Sequence, residues 1–131
     1  MGDVHKLSDY CTLKHFDLVC GISVFEHLLF PWKAILEINK IMKIRGYLHL
    51  STHPVWPEHE IPWDFWRFPK HGIHALFNKY TGFKIIALTE GLPCKAYSLV
   101  DDCPTRNFWF YTLRQKVVII AKKQATFRVI Y

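Results

Sequence analysis

The sequence lacks the features that mark membrane, secreted and zinc-binding chains. No apolar run approaches the roughly 18 to 20 residues of a membrane span, and the N-terminus has no signal-peptide apolar segment. The four cysteines form two pairs spaced nine residues apart, Cys11 with Cys20 and Cys94 with Cys103, without a C-x-x-C motif. This spacing is typical of neither a zinc site nor a disulfide framework. We therefore predict reduced thiols and a cytoplasmic location.

Clustered basic charge is also scarce. The chain carries a net charge of +6, from 17 Lys and Arg against 11 Asp and Glu, but Lys122–Lys123 is its only basic run. Scattered basic residues are typical of a solvated surface, so the pattern argues against a nucleic-acid partner. Half of the 131 residues are hydrophobic and 16% are aromatic, which predicts one folded domain over residues 1–131.

The first half of the chain predicts a strand, a helix and a second strand. Residues 16–21, FDLVCG, are a short apolar run typical of a buried strand. Pro31 opens an amphipathic helix that we expect Arg45 and Gly46 to break, and residues 47–51 form the next strand. This order is a βαβ unit, which makes the first two strands parallel.

The second half of the chain supplies a helix and further strands. We predict a helix over residues 72–80, a strand over 83–88, a loop over 90–105, and strands over 108–113 and 116–123. The fold class is therefore α/β.

Residues 53–72, HPVWPEHEIPWDFWRFPKHG, predict a loop, because four prolines exclude a regular helix or an interior strand. Three tryptophans are costly to leave in water, so the loop covers either the core or a ligand. As a substrate lid it offers aromatic faces and Arg67 for an anion. As structure, Trp63, Phe65 and Trp66 plug the sheet edge while Asp64 pairs with Arg67. Both interpretations stay open.

The loop histidines raise the question of a metal site. His53, His59, His71 and His74 have no recognised ligand spacing, and prolines separate them. The sequence therefore predicts no metal site.

Several segments occur in an order that points to one family. They are GDVHKL, the FDLV strand, VFEH, the turn and strand RGYLHLST, and the loop and helix PEHEIPWDFWRFPKHGIHALF. Together they resemble the C-terminal half of a class I S-adenosylmethionine-dependent methyltransferase of the small-molecule type, over about residues 1 to 90. The resemblance implies a partial Rossmann-like methyltransferase fold, with a mostly parallel sheet and an antiparallel last strand. It also implies methyl transfer to a small-molecule acceptor.

Two parts of the family pattern are missing. The sequence contains neither the glycine-rich turn that approaches the cofactor nor the acidic residue that binds its ribose. Pro69 also replaces the usual threonine at the next helix. We therefore expect an N-terminally truncated domain that binds S-adenosylmethionine weakly or not at all. The alternative is a non-catalytic remnant that acts as a protein-interaction module.

The resemblance implies the cofactor residues. Asp3 matches the acidic residue that binds the adenine amino group, and Val4 follows it. Cys20 and Gly21 end the first strand, where α/β sheets bind ligands, and the resemblance implies that their backbone lines the sulfonium side of the cofactor.

Catalytic and substrate-binding residues are expected after the strands. Glu26 and His27 form a candidate general base, although methyl transfer by proximity and alignment alone would not need one. The predicted substrate-binding residues are His53, His59, Trp66 and Arg67.

The FDLV strand also predicts association. It would lie on an open edge of the truncated sheet, and residues 17–21 offer no lysine, proline or bulge to block pairing. We expect a homodimer or a partner chain that completes the sheet.

Overall fold

The computed structural model describes residues 2–96 and 112–127, which form one four-stranded sheet with helices packed on it. The strand order is β1-β2-β4-β3. The strands are β1 Phe16–Ile22, β2 Met42–Thr52, β3 Phe83–Cys94 and β4 Leu113–Lys123, and the helices are α1 Leu7–Tyr10, α2 Pro31–Ile41 and α3 Ile73–Leu76. Two 3₁₀ turns cover Val4–Lys6 and Phe25–His27. No helix in the described part of the chain is long and apolar enough to cross a membrane.

The predicted βαβ unit is present. Strands β1 and β2 pair in parallel, and α2 connects them. Pro31 occupies the first turn of α2, where a missing N–H costs nothing. Ala34, Ile35 and Ile38 bury the apolar face of α2 in the core. The apolar spacing of the sequence therefore determined this unit.

The prediction of a mostly parallel sheet needs a correction. Strand β4 pairs antiparallel with both β2 and β3, so β1 with β2 is the one parallel pair among the described strands. Strand β3 runs in the same direction as β1 and β2 but does not pair with them. The last strand, β4, lies between β2 and β3. This position depends on pairing between residues far apart in the sequence, which local patterns do not encode.

The predicted helix end at Arg45 and Gly46 is wrong. Helix α2 ends at Ile41, and β2 begins at once with Met42 and runs through both residues. Arg45 has a φ of 71°, and a Cβ on Gly46 would lie 3.0 Å from the backbone oxygen of Lys43. The two residues therefore form an irregularity within the strand.

The same irregularity interrupts the pairing of β1 with β2. The pairing register shifts between Phe16, opposite Met42, and Leu18, opposite Tyr47. From Leu18 to Ile22 the pairing is regular. The extra residues lie on β2, so the expected open edge at residues 17–21 of β1 stays a prediction.

Other boundaries also differ. The helix predicted over 72–80 is one short turn, because the Asn78 side chain accepts hydrogen bonds from the backbone of Tyr80 and Thr81 and starts a turn. Strand β3 extends to Cys94 through residues predicted as loop, where it pairs with β4. The strand predicted over 108–113 lies outside the described residues except for its end.

One charged residue is buried at the end of β4. The Nζ of Lys123 donates to the backbone oxygens of Asn39, at 2.6 Å, and Met42, at 2.8 Å. Burial lowers the pKa of this ammonium group. Lys123 thus ties β4 to the C-terminal end of α2, where helix carbonyls lack partners.

Candidate functional site

The candidate site lies where β1 and β2 end. Their carboxyl ends meet at one edge of the sheet, with Ile22 opposite Ser51. Glu26 and His27 lie in the turn after β1, and His53 directly follows β2. Ligands of α/β folds bind at this edge, because the loops that follow parallel strands converge there.

Glu26 is the buried centre of the site, with none of its surface exposed. Its Oε2 accepts a hydrogen bond of 2.6 Å from the Thr52 hydroxyl. Its Oε1 is buried without a hydrogen-bond partner in the described residues and lies 3.5 Å from His53 Nε2. A buried carboxylate oxygen without a partner is costly, so this atom requires an explanation.

Two histidines flank this carboxylate in a defined tautomer. His27 Nδ1 lies 2.8 Å from the backbone oxygen of Trp63, and His53 Nδ1 lies 2.9 Å from that of Gln115. A carbonyl oxygen only accepts, so Nδ1 donates in both rings and Nε2 keeps its lone pair. The lone pair of His53 accepts from the Ser23 hydroxyl at 3.2 Å.

A third histidine reaches the site from the loop. His59 Nδ1 lies 3.2 Å from the backbone oxygen of Pro57 and 3.1 Å from Oδ2 of Asp64. Both neighbours accept hydrogen bonds, so the Nε2 of His59 is also the free acceptor. One ligand atom from each of Glu26, His27 and His59 lies within 4.8 Å of the others.

Asp64 and Arg67 hold the loop together. Arg67 Nη1 and Nη2 each donate to one Asp64 carboxylate oxygen at 2.6 Å. The other donors of Arg67 bond to the backbone oxygens of Trp56, Pro57 and Trp66. The hydrogen-bonded guanidinium of Arg67 holds the pKa of the Asp64 carboxyl well below its usual range. All five donors of Arg67 are thus used within the loop, which favours its structural interpretation over anion binding.

The loop aromatics divide between the core and the surface. Trp66 donates from Nε1 to the backbone oxygen of Leu28 at 2.7 Å and packs against the core. Trp63 and Phe65 are 59% and 38% exposed. Of the three rings expected to cover the sheet edge, only Trp66 packs against the core, and Trp63 and Phe65 lie exposed. The two exposed rings contact each other edge to face.

Three of the four predicted cofactor residues line an apolar cavity of about 340 Å³. Val4, Cys20 and Gly21 line it together with Val24 and Phe25. The structure thus brings the 3₁₀ turn near the N-terminus beside the end of β1.

Asp3 does not line this cavity. Its carboxylate caps the 3₁₀ turn by accepting from the backbone N–H of His5 at 2.9 Å, and it lies 2.8 Å from the His5 ring. These hydrogen bonds, the backbone one foremost, hold the pKa of Asp3 below its ordinary value.

A larger cavity, of about 810 Å³, lies at the opposite edge of the sheet. Gly82 and Phe83, where β3 begins, and Gln124 and Ala125, which follow β4, line it. Parallel strands direct their ligand-binding loops to the carboxyl edge, so we do not assign the site to this cavity.

The sequence showed no grouping among the loop histidines, and the structure separates them. His71 and His74 stack on each other, with ring centroids 6.5 Å apart, and are absent from the cluster around Glu26. Ser23 and Thr52, which bond to His53 and Glu26, were missed. Their positions could have identified them as site residues. Thr52 directly follows the predicted strand 47–51, and Ser23 lies two residues after the predicted strand 16–21.

Three solved structures are similar to this fold. A methyltransferase from Archaeoglobus fulgidus that depends on S-adenosylmethionine gives a TM-score of 0.67 at 16% identity, over 93% of this chain and 66% of that one. A Burkholderia thailandensis N1-methyltransferase, solved with 1,6-didemethyltoxoflavin and S-adenosylhomocysteine, gives a TM-score of 0.64 at 11% identity. The match covers 95% of this chain and 49% of that one. The cyclase SpnF gives a TM-score of 0.62 at 13% identity, over 95% of this chain and 54% of that one. The chain therefore spans about half to two thirds of these structures.

The chain has the class I methyltransferase fold, as the sequence resemblance implied. No protein-family model and no curated protein matches the chain. Because a cyclase is among the similar structures, the fold does not fix the reaction, which must be argued from the site.

Proposed function

We propose that this chain takes part in methyl transfer from S-adenosylmethionine to a small-molecule acceptor. One observation carries the proposal: the cavity at the end of β1 adjoins a polar cluster. Val24 and Phe25 line the cavity and directly precede Glu26 and His27. A cofactor in the cavity would therefore lie beside groups that can orient a polar acceptor.

The cavity fits only part of the cofactor. Its lining is mainly apolar, which suits the flat faces of an adenine ring. Among the described residues, no carboxylate lines it to bind the ribose hydroxyls, and the Asp3 carboxylate is engaged by His5. S-adenosylmethionine would supply an electrophilic methyl group when bound. Val4 would contact its adenine end and Cys20 and Gly21 its sulfonium side, and we propose that this chain alone binds it weakly.

The acceptor side of the site consists of Glu26, His27 and His53. The Nε2 lone pair of His27 can accept a hydrogen bond from an acceptor hydroxyl, since its Nδ1 is bonded to Trp63. Most of the rate advantage of such a site comes from holding acceptor and methyl group in line. Glu26 and His27 remain proposed catalytic residues on this basis.

A second candidate function is protein interaction through β1. This strand forms one edge of the sheet, and Leu18 and Ile22 on it are each 58% exposed. Exposed apolar side chains on an open edge favour pairing with another strand. A second copy of this chain, or a chain that completes the sheet, would pair there.

Cofactor binding can be tested by calorimetry and NMR with S-adenosylmethionine. We expect weak binding, without saturation in the low-micromolar range, and shift changes at Val4, Val19 and Gly21. Gly21→Leu should abolish these changes by filling the cavity. Gly91→Leu is the matched control, because a Cβ on Gly91 meets nothing within 4 Å. Shift changes confined to other regions, or none at all, would contradict the proposal.

The association candidate predicts a mutation-sensitive oligomer. We expect sedimentation at tens of micromolar (about the range where edge pairing becomes populated) to detect dimers or larger species. Leu18→Lys should shift them toward monomer, since a lysine blocks an edge. Ile120→Lys is the control, because Ile120 is an exposed apolar residue on the inner strand β4. A wild-type monomer at these concentrations would argue against β1 pairing.

A further inference from the structure

The unpartnered oxygen of Glu26 has no explanation within the methyl-transfer site. Glu26 is completely buried, and the one basic side chain within 4 Å of its carboxylate, among the residues that the structure describes, is the His53 imidazole, whose Nε2 lone pair already accepts from Ser23. Removing a carboxylate from water is costly unless a cation or hydrogen bonds compensate it. Thr52 compensates only Oε2.

Two imidazoles with defined tautomers lie near this carboxylate. His27 donates from Nδ1 to the Trp63 carbonyl, and His59 has Nδ1 beside the Pro57 carbonyl and the Asp64 carboxylate. Metal-binding histidines characteristically donate their other ring N–H to a carbonyl or carboxylate, which fixes the tautomer and raises ligand basicity. Both rings have such an acceptor at Nδ1.

We infer that Glu26, His27 and His59 form a binding site for a divalent transition-metal ion. Two imidazole nitrogens and one carboxylate oxygen are a recognised ligand set for such ions, with one or more positions left open for water or another oxygen ligand. The sequence prediction of no metal site should therefore be revised. The inference does not depend on methyl transfer. With an ion bound, the Nε2 of His27 would be a ligand, and an acceptor oxygen would occupy an open position on the ion instead of bonding to His27.

The distances require only a small closing movement. The three ligand atoms lie within 4.8 Å of one another, whereas two ligand atoms on a tetrahedral zinc ion lie about 3.4 Å apart. The side chain of His59 is 27% exposed and lies on a loop, so it has room to move toward the other two. His53 is not assigned as a ligand, because its Nε2 lone pair already accepts from Ser23.

The loop gains a role from this inference. Asp64 bonds to Arg67 and to the backbone N–H of His59, and its Oδ2 also lies beside the His59 ring. The loop therefore holds a ligand from a distant part of the sequence over the end of β1. Glu60 lies near the same place, with Oε2 3.9 Å from His27 Nε2, and adds negative charge that favours a cation.

The test is titration of the full chain with Zn²⁺ and Co²⁺. We expect one equivalent of each ion to bind, with visible Co²⁺ absorption typical of nitrogen and oxygen ligands. Glu26→Gln and His59→Gln should each weaken binding by at least about a hundredfold, more than the loss of an outer-shell partner causes. His59→Gln is the safer variant, because its side chain is partly exposed, whereas Glu26→Gln places an amide in the buried core. Circular dichroism checks that each variant is folded.

His71→Gln is the matched control, because it removes a histidine outside the cluster. We expect it to bind both ions as the wild type does. The inference is overturned if the wild type binds no ion, or if the Glu26 and His59 variants bind unchanged. Equal weakening by His71→Gln, or an intense thiolate band in the Co²⁺ spectrum, would also overturn it, because either result would move the ion to other residues.

Discussion

Gly82→Ala should lower the free energy of unfolding by about 3 kcal/mol, combining left-handed backbone strain with overpacking. Gly82 has a φ of 79°, which L side chains rarely adopt. A Cβ there would lie 2.3 Å from the Ala125 oxygen and 2.6 Å from Asn39 Nδ2. Neither can withdraw easily, because Asn39 Nδ2 donates to the backbone oxygens of Thr81 and Ala125.

Denaturant unfolding measures this effect, and the melting temperature should fall by about 10 °C for a chain of this size. Gly91→Ala is the control, because it adds the same methyl group to β3 in open space. It should change stability by less than about 0.5 kcal/mol. If both variants were equally stable, the close contact between Gly82 and Ala125 would not exist.

Asp64→Ala should release the loop that carries His59. The substitution removes both 2.6 Å bonds to Arg67 and the acceptor of the His59 backbone N–H. The Asp64 side chain is nearly buried, while that of Arg67 is about one quarter exposed. The free energy of unfolding should therefore fall by about 2 to 3 kcal/mol, which is less than the full cost of breaking a buried ion pair.

Limited proteolysis and hydrogen exchange should detect this change within residues 53–72 first. Asp64→Asn keeps one oxygen acceptor, so its free energy of unfolding should fall by less than that of Asp64→Ala. Asp9→Ala is the control, since it removes an exposed aspartate from α1. Unchanged protection of the loop in Asp64→Ala would mean that the prolines and Trp66 alone hold it closed.

The sequence determined the elements whose signals are local. The apolar run of β1, Pro31 and the apolar spacing of α2 predicted the βαβ unit, because strand alternation, helix periodicity and the fixed φ of proline act within a few residues. The ordered motifs also gave the methyltransferase fold. The Asp64 pairing with Arg67 was predictable from their spacing within one loop.

Strand lengths and strand order were decided by partners far away in the chain. Strand β3 extends through Gly91 and Pro93 to Cys94 because β4 provides a ladder of hydrogen bonds there. Likewise, β2 runs through Arg45 and Gly46 despite their turn propensity. Tertiary pairing overrides local propensity in both cases.

The candidate site shows the same division. The sequence identified Glu26, His27, His53 and His59 as polar residues near strand ends, because position after a strand is a local property. Only the tertiary structure decided that His59 joins Glu26 and His27 while His71 and His74 do not, since this depends on how the loop folds back over β1. It also decided which carboxylate oxygen is buried without a partner. Burial and distance across the chain are properties of the packed molecule, and no local pattern of residues contains them.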